Sequence, residues 1–272
     1  MTRLKTSDVQ NISRALENYE HELIRKTGST LLEIAEDAAQ ASRSVENVLK
    51  QTRAAVVPIT SGGGIIEGFA QAVEAILNHI GVRATITHGA DVTGIAEAYE
   101  EGNRLIFLAD DRRFVAIDLY ARRVVDNSAA TALAYVAALE KMAKGLRAKP
   151  VLVIGIGNVG KPAIMDLIRR KAMPIAVDVD RIRIRELIEK YGSRVRAFDT
   201  VREAVRHANL IINTAPARNV LREDMIRDGM MISAPAIPVG LTQGALKKVK
   251  HHLVHDPLQL GVVTMAVAAC AN

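Results

Sequence analysis

The chain has 272 residues, 49% apolar and 24% charged, with a formal net charge of +6. That is enough to bury a sizeable core as one or two domains of ordinary soluble composition. No apolar run approaches the ~20 residues a membrane span needs, the single Cys270 excludes an internal disulfide, and aromatics at 3% with scattered basic residues offer no nucleic-acid platform.

The polar start, MTRLKTSDVQ, has no apolar signal core. Together with the lone cysteine it sets the expectation of a cytoplasmic protein. Two amphipathic helices come first: Ser7 with Gln10 reads as a capping box and Gly28 as a stop, and Thr30 with Glu33 opens a second helix reaching about Arg53. AAVVPI (Ala54 to Ile59) reads as a buried strand, broken by Thr60-Ser61-Gly62-Gly63-Gly64, with a helix expected from about Ile65 to Ile80. A strand at Arg83 to His88, a helix at Asp91 to Glu101 and a strand at Arg104 to Ala109 follow, then Asp110-Asp111 and a further short strand at Phe114 to Leu119. This alternation predicts a small α/β domain over residues 1–127, preceded by helices.

Ser128 to Lys144 is Ala-rich and helical. Beyond it, Val151 to Ile154 runs straight into Gly155-Ile156-Gly157-Asn158-Val159-Gly160. A strand entering GxGxxG needs the first glycine for a tight turn, the second for close approach of a pyrophosphate and the third for helix-on-strand packing. A helix from about Asn158 to Lys171 would offer its N-terminal N–H groups to the phosphates. The strand Pro174 to Asp180 brings Asp178 and Val179 near the expected ribose-binding position, ~20 residues downstream. A carboxylate there accepts from the ribose 2′-OH and repels a 2′-phosphate, so the reading is NAD. Further strands are expected at Arg194 to Phe198, Asn209 to Pro216, Met230 to Pro238 and His251 to Pro257, and a terminal apolar helix at Gly261 to Cys270. The fold expected for residues 128–272 is a Rossmann-type, doubly wound parallel sheet.

Ligands of such sheets lie beyond the carboxyl ends of the strands. Thr214-Ala215-Pro216 and Ala234-Pro235 follow two strands there and would flank the nicotinamide and its ribose. The Thr60 to Ile66 turn lacks the Lys-Ser/Thr of a P-loop. It would form a substrate wall from a backbone nest, the Ser61 hydroxyl, and Ile65 and Phe69, which at helical spacing share a face. Asp110 or Asp111 would either cap a turn or face a cationic amine. The seven histidines form no HExxH or Cys/His set, so no metal is expected.

Taken together, VPITSGGGIIEGF (Val57 to Phe69), ADVTG (Ala90 to Gly94), LADD (Leu108 to Asp111), GIGNVGKP (Gly155 to Pro162), ISAPAIP (Ile232 to Pro238) and DPLQLGVVTM (Asp256 to Met265) resemble the pyrrolysine synthase (PylD) family over nearly the whole chain. Gly63 departs from the family's turn, which carries Asn there. The resemblance implies NAD-dependent oxidation of the terminal amine of L-lysine-Nε-(3R)-methyl-D-ornithine, then ring closure to pyrrolysine with loss of ammonia and water. It implies that Asp110 orients a substrate amine, that Ser61, Gly62 and Gly63 hold a polar substrate end, and that Ile65 and Phe69 pack its methylenes. It further implies that Met265 joins the cofactor contacts and that an N-terminal helix with Leu4 lies against the active site as a lid. A homodimer is the default assembly. The alternatives are another NAD(P)-dependent amino acid or imine oxidoreductase, and a non-catalytic NAD-binding protein.

Overall fold

The computed structural model describes residues 4–271. The chain divides into two compact units: Met1–Glu22, Thr30–Ala134 and Pro257–Asn272 form the first, Leu23–Ser29 and Tyr135–Asp256 the second. The expectation of one break at residue 127 and a second domain running to the C-terminus therefore changes. The last segment returns to the first unit, which becomes the larger of the two.

The first unit opens with α1 (Thr6–Val9), α2 (Ile12–Thr27) as far as Glu22, α3 (Leu31–Ala38) and α4 (Glu46–Gln51). The Thr30–Glu33 capping box forms as expected: Glu33 N donates to Thr30 Oγ1 and Thr30 N to Glu33 Oε2. The Ser7–Gln10 box does not, because the Asp8 carboxylate accepts the Lys5 N–H and starts the helix two residues earlier. The helix after Thr30 stops at Ala38 instead of reaching Arg53, where Gln40 turns left-handed at φ 55°.

Its sheet contains β1 (Arg53–Val57), β2 (Arg83–Ile86), β3 (Leu105–Ala109), β4 (Phe114–Asp118) and β5 (Arg123–Asp126) in the order β2-β1-β3-β4-β5. The first three are parallel, linked by α5 (Phe69–His79) and α6 (Asp91–Glu100); β4 and β5 add an antiparallel meander. β5 has no clear sequence signature, being four residues long and only partly buried. α7 (Asn127–Ala143) follows.

The terminal helix α12 (Gln259–Cys270) is buried at all but one position and packs on α3, α5, β4 and β5. Each of its fully buried Leu, Val and Met side chains contributes about 1.5–3 kcal/mol of transfer free energy. Near its end the Ala269 carbonyl accepts from Arg123 Nη2 at 2.6 Å and Arg104 Nη2 at 3.4 Å, cations suited to a helix C-terminus.

The second unit holds β6 (Pro150–Ile154), α8 (Gly160–Arg169), β7 (Met173–Val177), α9 (Arg181–Tyr191), β8 (Arg196–Ala197), α10 (Val201–Ala204), β9 (Leu210–Asn213), β10 (Met231–Ser233), α11 (Gln243–Val249) and β11 (Leu253–Val254). All six strands pair in parallel in the order β11-β10-β9-β6-β7-β8. Numbered within the unit this is 3-2-1-4-5-6 read from the other edge, the Rossmann order, with its switch point between β6 and β9. Leu152, Ile154, Ile175, Val177, Ile211 and Ile232 form the core beneath it. These near-continuous apolar strands are what burial on both faces requires.

Candidate active site

In the second unit the three glycines after β6 differ in what surrounds them. Gly155 has φ +88°, and a Cβ there would lie 3.0 Å from Thr214 Oγ1 and 3.1 Å from the Ala215 nitrogen. A Cβ on Gly160 would collide with the Gly155 carbonyl. In front of Gly157 the space is open: only Arg183 Nη1, at 3.8 Å, comes near. Turn, packing and close approach are thus assigned to separate glycines, as a dinucleotide pyrophosphate requires. α8 begins at Gly160; the Lys161 N–H donates to the Gly157 carbonyl and the Ala163 N–H to that of Val159, Pro162 has none, and Asn158 is exposed and Val159 half-buried just before the helix. These residues fit a nicotinamide dinucleotide.

Asp178 directly follows β7 and is buried. Its Oδ2 accepts the Ile156 N–H at 2.5 Å and its Oδ1 the Asp180 N–H at 2.7 Å. The carboxylate therefore braces the glycine turn, a role the ribose reading did not include. Arg183 Nη1 stands 3.7 Å from Asp178 Oδ2, and Arg183 Nε 3.2 Å from Asp180 Oδ2. Val179 is fully exposed beside them.

Across the switch point the Thr214 hydroxyl reaches the Gly155 carbonyl at 2.7 Å, so its side chain serves the turn itself. Ala215 is half-buried and Pro216 exposed. Ala234 is fully buried, its carbonyl 2.7 Å from His255 Nδ1, and Pro235 is half-buried. Met265 lies on α12 in the first unit with no exposed surface, and Asn127 Nδ2 donates to its sulfur at 3.3 Å.

In the first unit the carboxyl ends of β1, β2 and β3 carry the other candidate residues. The loop after β1 is longer than expected. Gly62, Gly64 and Gly68 all have positive φ, and α5 starts only at Phe69, with Gly68 as its N-cap. Ile65 is therefore a loop residue, 55% exposed, and shares no helix face with Phe69. Phe69 turns to the core, where its ring meets Phe114 edge-on at 5.3 Å. Ser61, Gly62 and Gly63 are exposed.

Asp110 is exposed and closes the β3–β4 turn, its Oδ1 accepting the Arg112 and Arg113 N–H groups at 2.7 Å each. Those bonds, the Arg113 one foremost, hold its carboxyl below the ordinary carboxylate range. The neighbouring Asp111 reaches the glycine turn instead: its Oδ2 accepts the Gly63 N–H at 2.7 Å. The backbone nest is thus matched to a carboxylate. Leu4 is half-buried at the N-terminal end, just before α1.

Residues 8–125 match the family described as pyrrolysine biosynthesis protein PylD, N-terminal domain. The chain is 28% identical to the pyrrolysine synthase of Methanosarcina acetivorans, over 97% of this chain and 98% of that protein. It is 27% identical to the one from Methanosarcina barkeri, over 97% of each. The chain is thus similar to pyrrolysine synthases over nearly its whole length. Among solved structures, quinate dehydrogenase from Corynebacterium glutamicum in complex with NAD has a TM-score of 0.55 at 12% identity, covering 80% of this chain and 93% of that one. That likeness shows a shared α/β Rossmann-type fold.

Three groups were given no role in the sequence reading. Asp91, at the head of α6, holds Thr60 through a bond from Thr60 N at 2.8 Å and another from the Thr60 hydroxyl; the hydroxyl bond, then the backbone one, lowers its pKa. The ADVTG segment had pointed there, and its Gly94 fits because a Cβ would meet the Gly89 carbonyl and Thr87 Oγ1. Arg183 could not be separated by sequence from Arg181 and Arg185. In the second unit the buried Tyr135 hydroxyl lies 2.8 Å from the Asp256 nitrogen, carbonyl oxygen and Oδ2. Burial, then the Asp256 charge, raises its pKa well above the usual phenol value. Among the described residues no group of three potential ligands could hold a metal, and no helix is long and apolar enough to cross a membrane.

Proposed function

We propose that this protein is an NAD-dependent enzyme that oxidises the terminal amine of L-lysine-Nε-(3R)-methyl-D-ornithine and closes the pyrroline ring of pyrrolysine. The observation that carries the reading is the unobstructed space before Gly157, flanked by Gly155 and Gly160, neither of which can bear a side chain, in a chain resembling pyrrolysine synthases over nearly its full length. Residues 155–160, Asp178, Val179, Thr214 to Pro216, Ala234 and Pro235 would hold the cofactor. Bound there, NAD would accept a hydride from the carbon that carries the amine.

The rest falls to this chain's own groups. The amine must be neutral, because its nitrogen lone pair drives the hydride out, and in water its pKa is near ~10.4. Asp110 would orient an ammonium on arrival, and apolar contacts from Ile65 would favour the neutral form. Loss of hydride and a proton leaves C=NH. Water replaces ammonia to give an aldehyde, and the ornithine α-amine condenses with it, returning that water. The net loss is ammonia. Ring closure of this kind needs chiefly proximity, which the Ser61-Gly62-Gly63 turn would supply by holding the polar end of the substrate.

Mixing the full-length protein with NAD+ and the synthetic conjugate, then following NADH absorbance and product mass, tests the reading. NADH with a ring product 17 Da below the oxidised amine's hydrolysis-free mass (loss of ammonia, roughly one NH3 by composition) supports it. NADH only with another amine points to a different oxidoreductase, and NAD binding with no turnover points to a binding protein.

A further inference from the structure

At the opposite end of the second unit's sheet lies a pocket of about 380 Å³, lined by the starts of β6, β9 and β10 at Pro150, Leu210 and Met231. The glycine cradle is at the carboxyl ends of the strands; this pocket is at their amino ends. Its charged lining is of one sign. Lys149, Arg206 and Arg227 face it beside His207, and no carboxylate does.

The cations are not neutralised elsewhere. Lys149 Nζ donates only to the Ala143 carbonyl, at 2.7 Å. Arg206 has no hydrogen-bond or ion-pair partner among the described residues. Arg227 is held by neutral acceptors: the Val205 and Ala208 carbonyls and Asn209 Oδ1, at 2.8 to 3.0 Å. Those bonds use three of the five N–H donors a guanidinium carries, fixing the group while leaving donors and the full charge. His207 is fixed by stacking on Phe198, with ring centroids 4.7 Å apart, and Arg196 covers the same ring at 4.4 Å. Arg227 and His207 are thus held in place before any ligand arrives, which lowers the ordering cost of binding.

We propose that this pocket binds a phosphate group, free or carried on a small organic ester, as a site separate from the dinucleotide cradle. Cations approaching from β6, from the segment before β9 and from the segment before β10 match a tetrahedral dianion with several peripheral oxygens better than a planar monocarboxylate. The volume exceeds what one phosphate fills. Ala143, Pro150, Leu210 and Met231 offer apolar surface for an attached carbon body.

Calorimetry of the full chain in low-salt, phosphate-free buffer, with inorganic phosphate in one arm and ribose 5-phosphate in the other, tests this. Saturable binding of either is expected, weakened at least about tenfold by Arg206→Glu, a reversal next to a charge-assisted hydrogen bond. Arg206 holds nothing in the fold, so this variant should melt like the parent; Lys149→Glu gives a second reading if it does not. Tighter binding of the ester assigns the carbon body to the apolar floor, and equal binding assigns the site to free phosphate. The proposal falls if neither ligand saturates, if both charge reversals leave binding unchanged, or if excess NAD+ displaces the ligand, which would place it in the glycine cradle. None of these outcomes bears on amine oxidation, which is read separately by NADH formation.

Discussion

Asp178 accepts the backbone N–H of Ile156, so the residue that follows β7 is tied to the glycine turn that follows β6. A single carboxylate thereby shapes the turn and presents its charge where an adenosine ribose is proposed to lie. Asp178→Ala leaves a buried N–H without a partner, a loss of about 1–3 kcal/mol. We expect NAD affinity to fall at least about tenfold and the preference over NADP to narrow, both read by calorimetry. If both affinities are unchanged, Asp178 does not contact the ribose.

Two neighbouring glycines should respond oppositely to one methyl group. Gly160→Ala drives a Cβ into the Gly155 carbonyl, overpacking that costs about 1–3 kcal/mol or more and lowers Tm by several degrees. Gly157→Ala meets no close protein atom, so Tm should hold while NAD affinity collapses. Differential scanning calorimetry with and without NAD separates the cases. Equal affinity for NAD in parent and Gly157→Ala would remove the cofactor from that opening.

Much of this was legible because the second unit repeats one device, an apolar strand followed by a glycine or small-residue loop. Val151 to Ile154 and Gly155 to Gly160 are contiguous, so local pattern and tertiary role coincide. The first unit was less legible where geometry is set by contacts distant in sequence. Ile65 and Phe69 have helical spacing, but three left-handed glycines keep the helix from starting before Phe69. Asp110 and Asp111 are adjacent in sequence and only the fold separates them, one into its own turn and the other to Gly63, 48 residues away. Met265 sat in a motif of the resemblance, yet the terminal helix that carries it belongs to the first unit's core.

The Asp110 pair of roles can be split by one atom. Asp110→Asn keeps an Oδ1 able to accept both turn N–H groups but loses the charge. Its fold should be unaltered, whereas Asp110→Ala should lose at most about 1 kcal/mol at so exposed a site. If the charge orients a substrate ammonium, Asp110→Asn raises KM about tenfold and barely moves Tm. Steady-state kinetics showing parental kcat and KM for both variants would end that assignment.

Acid stability of the first unit should depend on Asp118. It is fully buried; burial pushes its pKa up, but two Arg104 hydrogen bonds and the N–H groups of Ala121 and Tyr120 outweigh that and leave it lowered. A lowered folded-state value means the stabilisation is complete above the unfolded value, about 3.9, and is lost as pH falls through the folded one. Asp118→Asn should therefore lose about 3 kcal/mol near neutral pH and show a flatter stability curve below about pH 4. Urea melts across pH 2.5 to 7 (a window of roughly this span brackets carboxylate titration) check it; parallel curves for parent and variant would assign the acid sensitivity to another carboxylate.

The N-terminal segment lies next to the end of the glycine-rich loop within its own unit. A Cβ on Gly68 would touch Val9 Cγ2 at 3.7 Å and Gln10 Cα at 3.8 Å, and Gly68 is the residue where the glycine-rich loop becomes α5. Val9 is buried, so α1 is anchored at its end while Leu4 remains half-exposed ahead of it. A lid needs such an anchored end. Deleting residues 1–8 keeps the anchor. The expected result is a fall in kcat of about tenfold, the scale of lost water exclusion and positioning, with NAD affinity unchanged. A deletion variant with parental kcat would show that the segment packs against the turn without gating it.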